Sequence, residues 1–120
     1  IPFQVYELSD NNVIVGSEAS DVEIGITNIN KLEKDWHIAK IHVTDDFRRD
    51  SLIHEATSLE ELGDTFPTSV KWEWLTVRRT DNGKSLSIHV DENTGGQRKM
   101  VVEIGSLFDH GIFVLNQEKN

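Results

Sequence analysis

The side chains with chemical potential in this chain are a few aromatics, five histidines and several acidic clusters. Trp72 and Trp74 lie two residues apart, so on a regular strand they share a face. An exposed indole can stack on the C–H face of a sugar ring, its electron-rich π-face meeting weakly positive hydrogens. Trp72 is the first candidate for such a platform, and Tyr6, Phe47 and Phe66 are further aromatic candidates. The competing role for Trp72 is to cap the edge of a core with its N–H turned to water, and that role is preferred.

His37, His42, His54, His89 and His110 raise the question of a metal. Zinc needs three or four ligands converging on one point, with partners behind them. No His-x-His or His-x-x-x-His spacing occurs. His37 and His42 fall on opposite faces of an ideal strand, although a bulge between them would bring them to one side. Asp45, Asp46 and Asp50 surround Phe47, but Arg48 and Arg49 interrupt them and the alternation of a calcium loop is missing. Asp91-Glu92-Asn93 is a second acidic loop, with Arg98 close enough to neutralise it. Both loops read as solvated turn charges, and no metal or other cofactor is expected.

Covalent chemistry has less support. There is no Gly-x-Ser-x-Gly elbow, phosphate loop or His-Glu-x-x-His pattern. Zero cysteines removes thiolate ligands, disulfides and a thiol nucleophile. Acid pairs such as Glu60/Glu61 would need a cleft between them to act on a glycosidic bond. A 120-residue sandwich has little room for one beside its core. A non-catalytic protein is therefore expected.

Short strands must position these residues. Phe3 to Leu8 alternates, with Phe3 and Val5 on one face and Tyr6 and Leu8 on the other. Val13-Ile14-Val15 is a short run, and Asp21 to Thr27 puts Val22, Ile24 and Ile26 on one side. In Trp36 to Val43 the apolar phase slips between Ile38 and Ile41, which places a β-bulge near Ala39-Lys40. Asp45 to Asp50 reads as a hairpin tip, and Ser51 to Thr57 as the returning strand. Ser58 to Gly63 has capping-box spacing and a glycine stop, enough for about one helical turn.

Lys71 to Val77, Ser85 to Val90 and Lys99 to Ile104 follow as strands, separated by Asn82-Gly83 and Gly95-Gly96 turns. The last run, Ile112 to Gln117, is apolar on both parities, so its outer face needs a cover from a loop, a neighbouring domain or another subunit. Strands at this spacing predict one all-β domain over residues 1–120, an antiparallel β-sandwich.

The net charge of 12 − 21 = −9 repels phosphate backbones and anionic membrane surfaces, which argues against nucleic-acid binding. No uncharged apolar run approaches the ~18 residues of a membrane span. A signal peptide is not visible, and the abrupt start at Ile1 leaves the compartment open.

Trp74-Leu75-Thr76-Val77, Ser85 to Val90, Asp91-Glu92-Asn93 with Arg98 after the glycines, and the closing Gln117 together resemble the BACON domain. That name denotes the Bacteroidetes-associated carbohydrate-binding, often N-terminal, domain. Trp36 would be the family's early Trp, and both Trp36 and Trp74 would be core residues. Phe108-Asp109 looks like the start of the last hairpin. Leu52 to Lys71 is longer than the family's usual link. His110-Gly111-Ile112 also adds residues, so the inward parity of the last strand is either Ile112/Val114 or Phe113/Leu115.

The resemblance implies an immunoglobulin-like sandwich of about seven to eight strands. It also implies an extracytoplasmic setting, in a periplasmic or outer-membrane surface protein and often a lipoprotein. The function it implies is a non-catalytic spacer or interaction domain, whose partner is a neighbouring domain or protein. The alternative is a glycan-binding module that holds a polysaccharide through exposed aromatics. Insertion of this chain into a membrane is not expected.

Overall fold

A computed structural model describes residues 6–28, 36–45, 49–56, 68–105 and 110–120. These form ten strands: β1 Tyr6–Leu8, β2 Asn12–Val15, β3 Ser20–Asn28, β4 His37–Thr44, β5 Asp50–Glu55, β6 Ser69–Trp72, β7 Leu75–Thr80, β8 Ser85–Val90, β9 Arg98–Gly105 and β10 His110–Gln117. Two five-stranded sheets face each other, ordered β1-β3-β8-β7-β6 and β2-β10-β9-β4-β5. The first is antiparallel throughout. The second is mixed, because β2 runs parallel to β10.

The alternating strands behave as their side chains require. Ile24, Leu86, Ile88, Val90, Met100, Val102 and Ile104 turn inward and lose all or nearly all contact with water. Each such side chain contributes roughly 1.5–3 kcal/mol of burial, which is what holds the layers together. In β4 the pairing with β9 slips between Ile38 and Lys40, where the phase of the sequence predicts a bulge. The slip lets Trp36, Ile38, Ile41 and Val43 all face the core. It also leaves both His37 and His42 half-buried on the other side. In β10 the inward pair is Phe113 and Leu115, and Ile112 is 51% exposed.

Two features depart from the sequence reading. Lys71 to Val77 is not one strand. Trp72 pairs with Leu75, so Glu73-Trp74 is a two-residue turn between β6 and β7. Splitting this run in two turns the nine runs read along the sequence into ten strands among the described residues, against the seven or eight that the resemblance implies. The segment Ser58 to Gly63, Phe47, Phe66 and Phe108-Asp109 lie outside the described residues.

Leu8 of one sheet packs against Gly111 of the other. A Cβ there would sit 2.9 Å from Leu8 Cδ1 and 3.2 Å from Ile104 Cγ1, so the absence of a side chain lets β1 settle over β10. Among the described residues, no helix is long and apolar enough to cross a membrane.

Candidate functional site

A concavity lined by aromatic and polar groups opens at the end of the sandwich where β9 begins and β10 finishes. Its volume is about 340 Å³. The β6–β7 turn supplies Trp72, Glu73 and Trp74, the β8–β9 loop supplies Asn93 to Gly96, and Asp45 and Arg49 form a rim. Glu73 has φ 42°, a left-handed conformation that costs a non-glycine residue roughly 1–2 kcal/mol. The turn is held in place by Asp91, whose backbone N–H donates to the Trp74 carbonyl at 2.8 Å. It sets the two indoles edge to face, centroids 6.1 Å apart at 71°.

Arg98 lies over the Trp74 ring, its Cζ 4.0 Å from the centroid. Its Nε donates to Gln117 Oε1 at 2.8 Å and its Nη2 to the Asp91 carbonyl at 2.9 Å. Burial lowers the Arg98 guanidinium from its ordinary value, and the Asp91 charge opposes that shift. An arginine stays protonated under such a pull. Gln117, fully buried, donates from Nε2 to the carbonyls of Asp91 at 3.0 Å and Glu18 at 3.3 Å.

Asn93 is only 2% exposed. Its Nδ2 donates to the Gly96 and Glu118 carbonyls at 2.8 and 3.0 Å, and its Oδ1 accepts from Gly95 N–H at 3.1 Å. Its backbone N–H donates to the Ser17 carbonyl at 2.7 Å. Three side chains thus tie the β8–β9 loop to the β2–β3 link and to the chain after β10. Behind the aromatics, the polar floor of the concavity is a knot of charge-assisted and amide bonds with satisfied partners.

The aromatic candidates are distributed differently from the sequence expectation. Trp72 lines the concavity, half-buried against the core. Trp74, expected inside, is also only half-buried, because a turn position carries it to the mouth instead of into the sandwich. Tyr6 is 7% exposed and belongs to the core, since β1 turns its Tyr6 and Leu8 parity inward; it offers no surface for a ligand. Trp36 is buried as expected, at 1% exposure.

His37, His42, His54 and His89 do not converge on one point. His37 and His42 share a face, yet they lie five positions apart along β4, about 15 Å. His54 Nε2 lies 3.0 Å from the Ile38 carbonyl. His89 sits between two carboxylates, Nδ1 2.8 Å from Asp21 Oδ1 and Nε2 3.1 Å from Asp91 Oδ1. The hydrogen bond to Asp21 is the main cause that raises its pKa, against a smaller desolvation effect. Among the described residues, no group of three or more histidines and carboxylates could hold a metal ion.

The buried roles of Asn93 and Gln117 were not read from the sequence as a site. Their signal was the family-like pattern itself, which contains Asn93, Arg98 and Gln117 as fold markers without saying that they meet.

No family model matches the chain. None of the curated proteins matches it. Among solved structures, it is similar to the NMR structure of a protein from Bacteroides thetaiotaomicron, with a TM-score of 0.62 and 16% identity over 90% of this chain and 75% of that one. At that identity the likeness establishes the fold alone: an all-β sandwich shared with a Bacteroides protein.

Proposed function

We propose that this chain is a BACON-like module of an extracytoplasmic Bacteroidetes-type protein, acting without catalysis as a spacer or interaction domain. One observation carries the reading. Asn93, Arg98 and Gln117, the polar residues that the family-like pattern singles out, direct their hydrogen bonds at this chain's own loops. The pattern therefore describes a fastening, and a fastening serves a domain whose task is to hold shape.

The partner in this reading is a neighbouring domain or protein. The outer face of the mixed sheet supports it: Val114, Val101, His42 and Leu52 stand in register across four strands. Ile14 and Ile112 on the same sheet are 67% and 51% exposed. Nucleic acid is disfavoured by the charge of −9.

A second reading, a glycan-binding module, is favoured by the concavity itself. Trp72 and Trp74 present ring edges and faces beside Asp45, Glu73 and Arg49, a mixture of stacking surface and polar groups that suits a saccharide. Titration with a panel of polysaccharides decides between the two. The spacer reading expects no saturable signal at millimolar sugar. Saturable binding that Trp72→Ala abolishes would replace it with the glycan reading.

A further inference from the structure

We infer that the β2–β10 seam is a mechanical clamp, so that the domain bears tension along its strands; this rests on the spacer reading. β2 runs parallel to β10, and β1 runs the same way: Tyr6 pairs with Asn28 at the end where Trp36 bonds Gly83 and β10 starts, while β10 finishes at the opposite end, where Gln117 bonds Asp91 and β3 starts beside Val90. The chain therefore enters at the Trp36 end and leaves β10 at the Gln117 end. A pull on residues before Tyr6 and after Gln117 drags β2 backwards and β10 forwards along their common axis.

Bonds between parallel strands are evenly spaced and bridge the two chains at a slant to that axis, so none lies along the pull. Under such a load they are sheared together and fail as a group. The same bonds opened from one end would part singly, each resisting with only its own small net strength. Resistance to forced unfolding is set by the unfolding rate, which depends on how many interactions must break before the barrier is crossed.

The seam is reinforced beyond its four register pairs, Val114↔Asn12 to Gln117↔Val15. At one end, Val114 N–H donates to the Asn11 carbonyl at 2.8 Å and Asn11 Nδ2 to the Ile112 carbonyl at 3.3 Å. At the other, Glu118 N–H donates to the Val15 carbonyl at 3.0 Å, and Gln117 Nε2 reaches the Ser17 and Glu18 carbonyls at 3.5 and 3.3 Å. The crossover from β1 to β2 is fixed by Ser9, whose N–H donates to the Gly25 carbonyl and whose Oγ accepts from Gly25 N–H, both at 2.9 Å. Slack before the seam is thereby limited, and load passes to both sheets at once.

Single-molecule pulling tests this. The chain has no cysteine, so handles attach only where one is introduced. Ile1→Cys with Asn120→Cys loads the seam in shear. Gly16→Cys with Asn120→Cys pulls both strands from one end and unzips it, and a Cβ at Gly16 meets nothing within 4 Å. The clamp requires a rupture force at least about twofold higher in the first geometry, since several bonds then fail together. Equal forces in the two geometries would overturn it.

A matched pair of variants supplies a second readout. The Val15 carbonyl faces β10, so by the alternation of a parallel ladder its N–H does too, and that of Ile14 faces away. Val15→Pro should lower the shear force towards the unzipping value, and Ile14→Pro should leave it unchanged. Equal effects of the two would also count against the clamp. The spacer reading is judged separately: a domain that resists shear but binds a polysaccharide through Trp72 keeps the clamp and loses the spacer. One that binds no glycan and yields equally in both geometries does the reverse.

Discussion

The two ends of the sandwich carry the same pair of residue types and use it differently. At one end Arg79 lies over Trp36, its Cζ 5.2 Å from the ring centroid, and its Nε donates to the Trp36 carbonyl at 3.2 Å. The Trp36 indole N–H donates to the Gly83 carbonyl at 2.7 Å, and the ring is 1% exposed. There the tryptophan is a plug. At the other end Arg98 lies closer over Trp74, at 4.0 Å, yet the indole remains half-buried at the mouth of the concavity. Closure at that end passes to the polar knot of Asn93, Arg98 and Gln117. A ring that fills its space makes its own seal; a ring mounted on a turn needs something behind it.

That contrast is broken most severely by Trp36→Ala. Removing a fully buried indole costs about 3–5 kcal/mol, and the variant also leaves the Gly83 carbonyl without this donor. Chemical denaturation should show a large fall in midpoint with the slope preserved. A loss near 1 kcal/mol would mean that the plug is not what closes that end. Gln117→Ala comes next, at about 2–3 kcal/mol, because it strips Arg98 of a buried acceptor and leaves the Asp91 and Glu18 carbonyls short of a donor. Its denaturation midpoint should fall below that of an exposed amide control, Gln97→Ala. Equal midpoints would show that the knot is dispensable.

The sequence reveals the strands better than their partners. Alternation in Ser85 to Val90 and Lys99 to Ile104 is a local property, written by the pleat, and it survives into the fold unchanged. The bulge in β4 is legible for the same reason, as a slip of phase within a few residues. The β6–β7 turn is not. Glu73-Trp74 has none of the glycine, asparagine or proline that marks a tight turn, so a continuous strand was the natural reading of Lys71 to Val77. Tertiary packing of Trp74 under Arg98 overrides the local preference there, and with it goes the expectation that Trp74 lies in the core. Tyr6 departs in the opposite direction, because Phe3 to Leu8 is apolar on both parities and so does not say which face is covered. The parallel seam of β2 and β10 joins residues about 100 apart, and no local feature announces it.

The strain at the turn can be relieved directly. Glu73 holds φ 42°, a region that glycine enters without steric penalty. Glu73→Gly should therefore stabilise the fold by up to about 1 kcal/mol, the relief being partly offset by the greater freedom of glycine in the unfolded chain. Thermal melting would register a small rise in Tm. A fall would show that the glutamate side chain holds the turn by contacts stronger than its backbone strain, and the mouth of the concavity would then be set by Glu73 and not by the Trp74–Arg98 stack.

The smallest effect belongs to the flank of the knot, where His89 bridges Asp21 and Asp91. Its ordinary pKa of 6.5 is raised on folding, chiefly by the hydrogen bond to Asp21. The native state thus holds this proton more tightly than the unfolded chain. The resulting stabilisation is complete below pH about 6.5, while both carboxylates remain ionised, and it fades as pH rises through the folded value. The ring is substantially exposed, at 42%, so solvent screening keeps the whole contribution under about 1 kcal/mol. Melting the protein and His89→Gln in parallel at pH ~5.5 and ~8.5 isolates it. The histidine should confer a higher Tm at the lower pH and no advantage at the higher. The same difference at both values would place its contribution in packing, leaving the knot and not the charge bridge to fasten β8 to its neighbours.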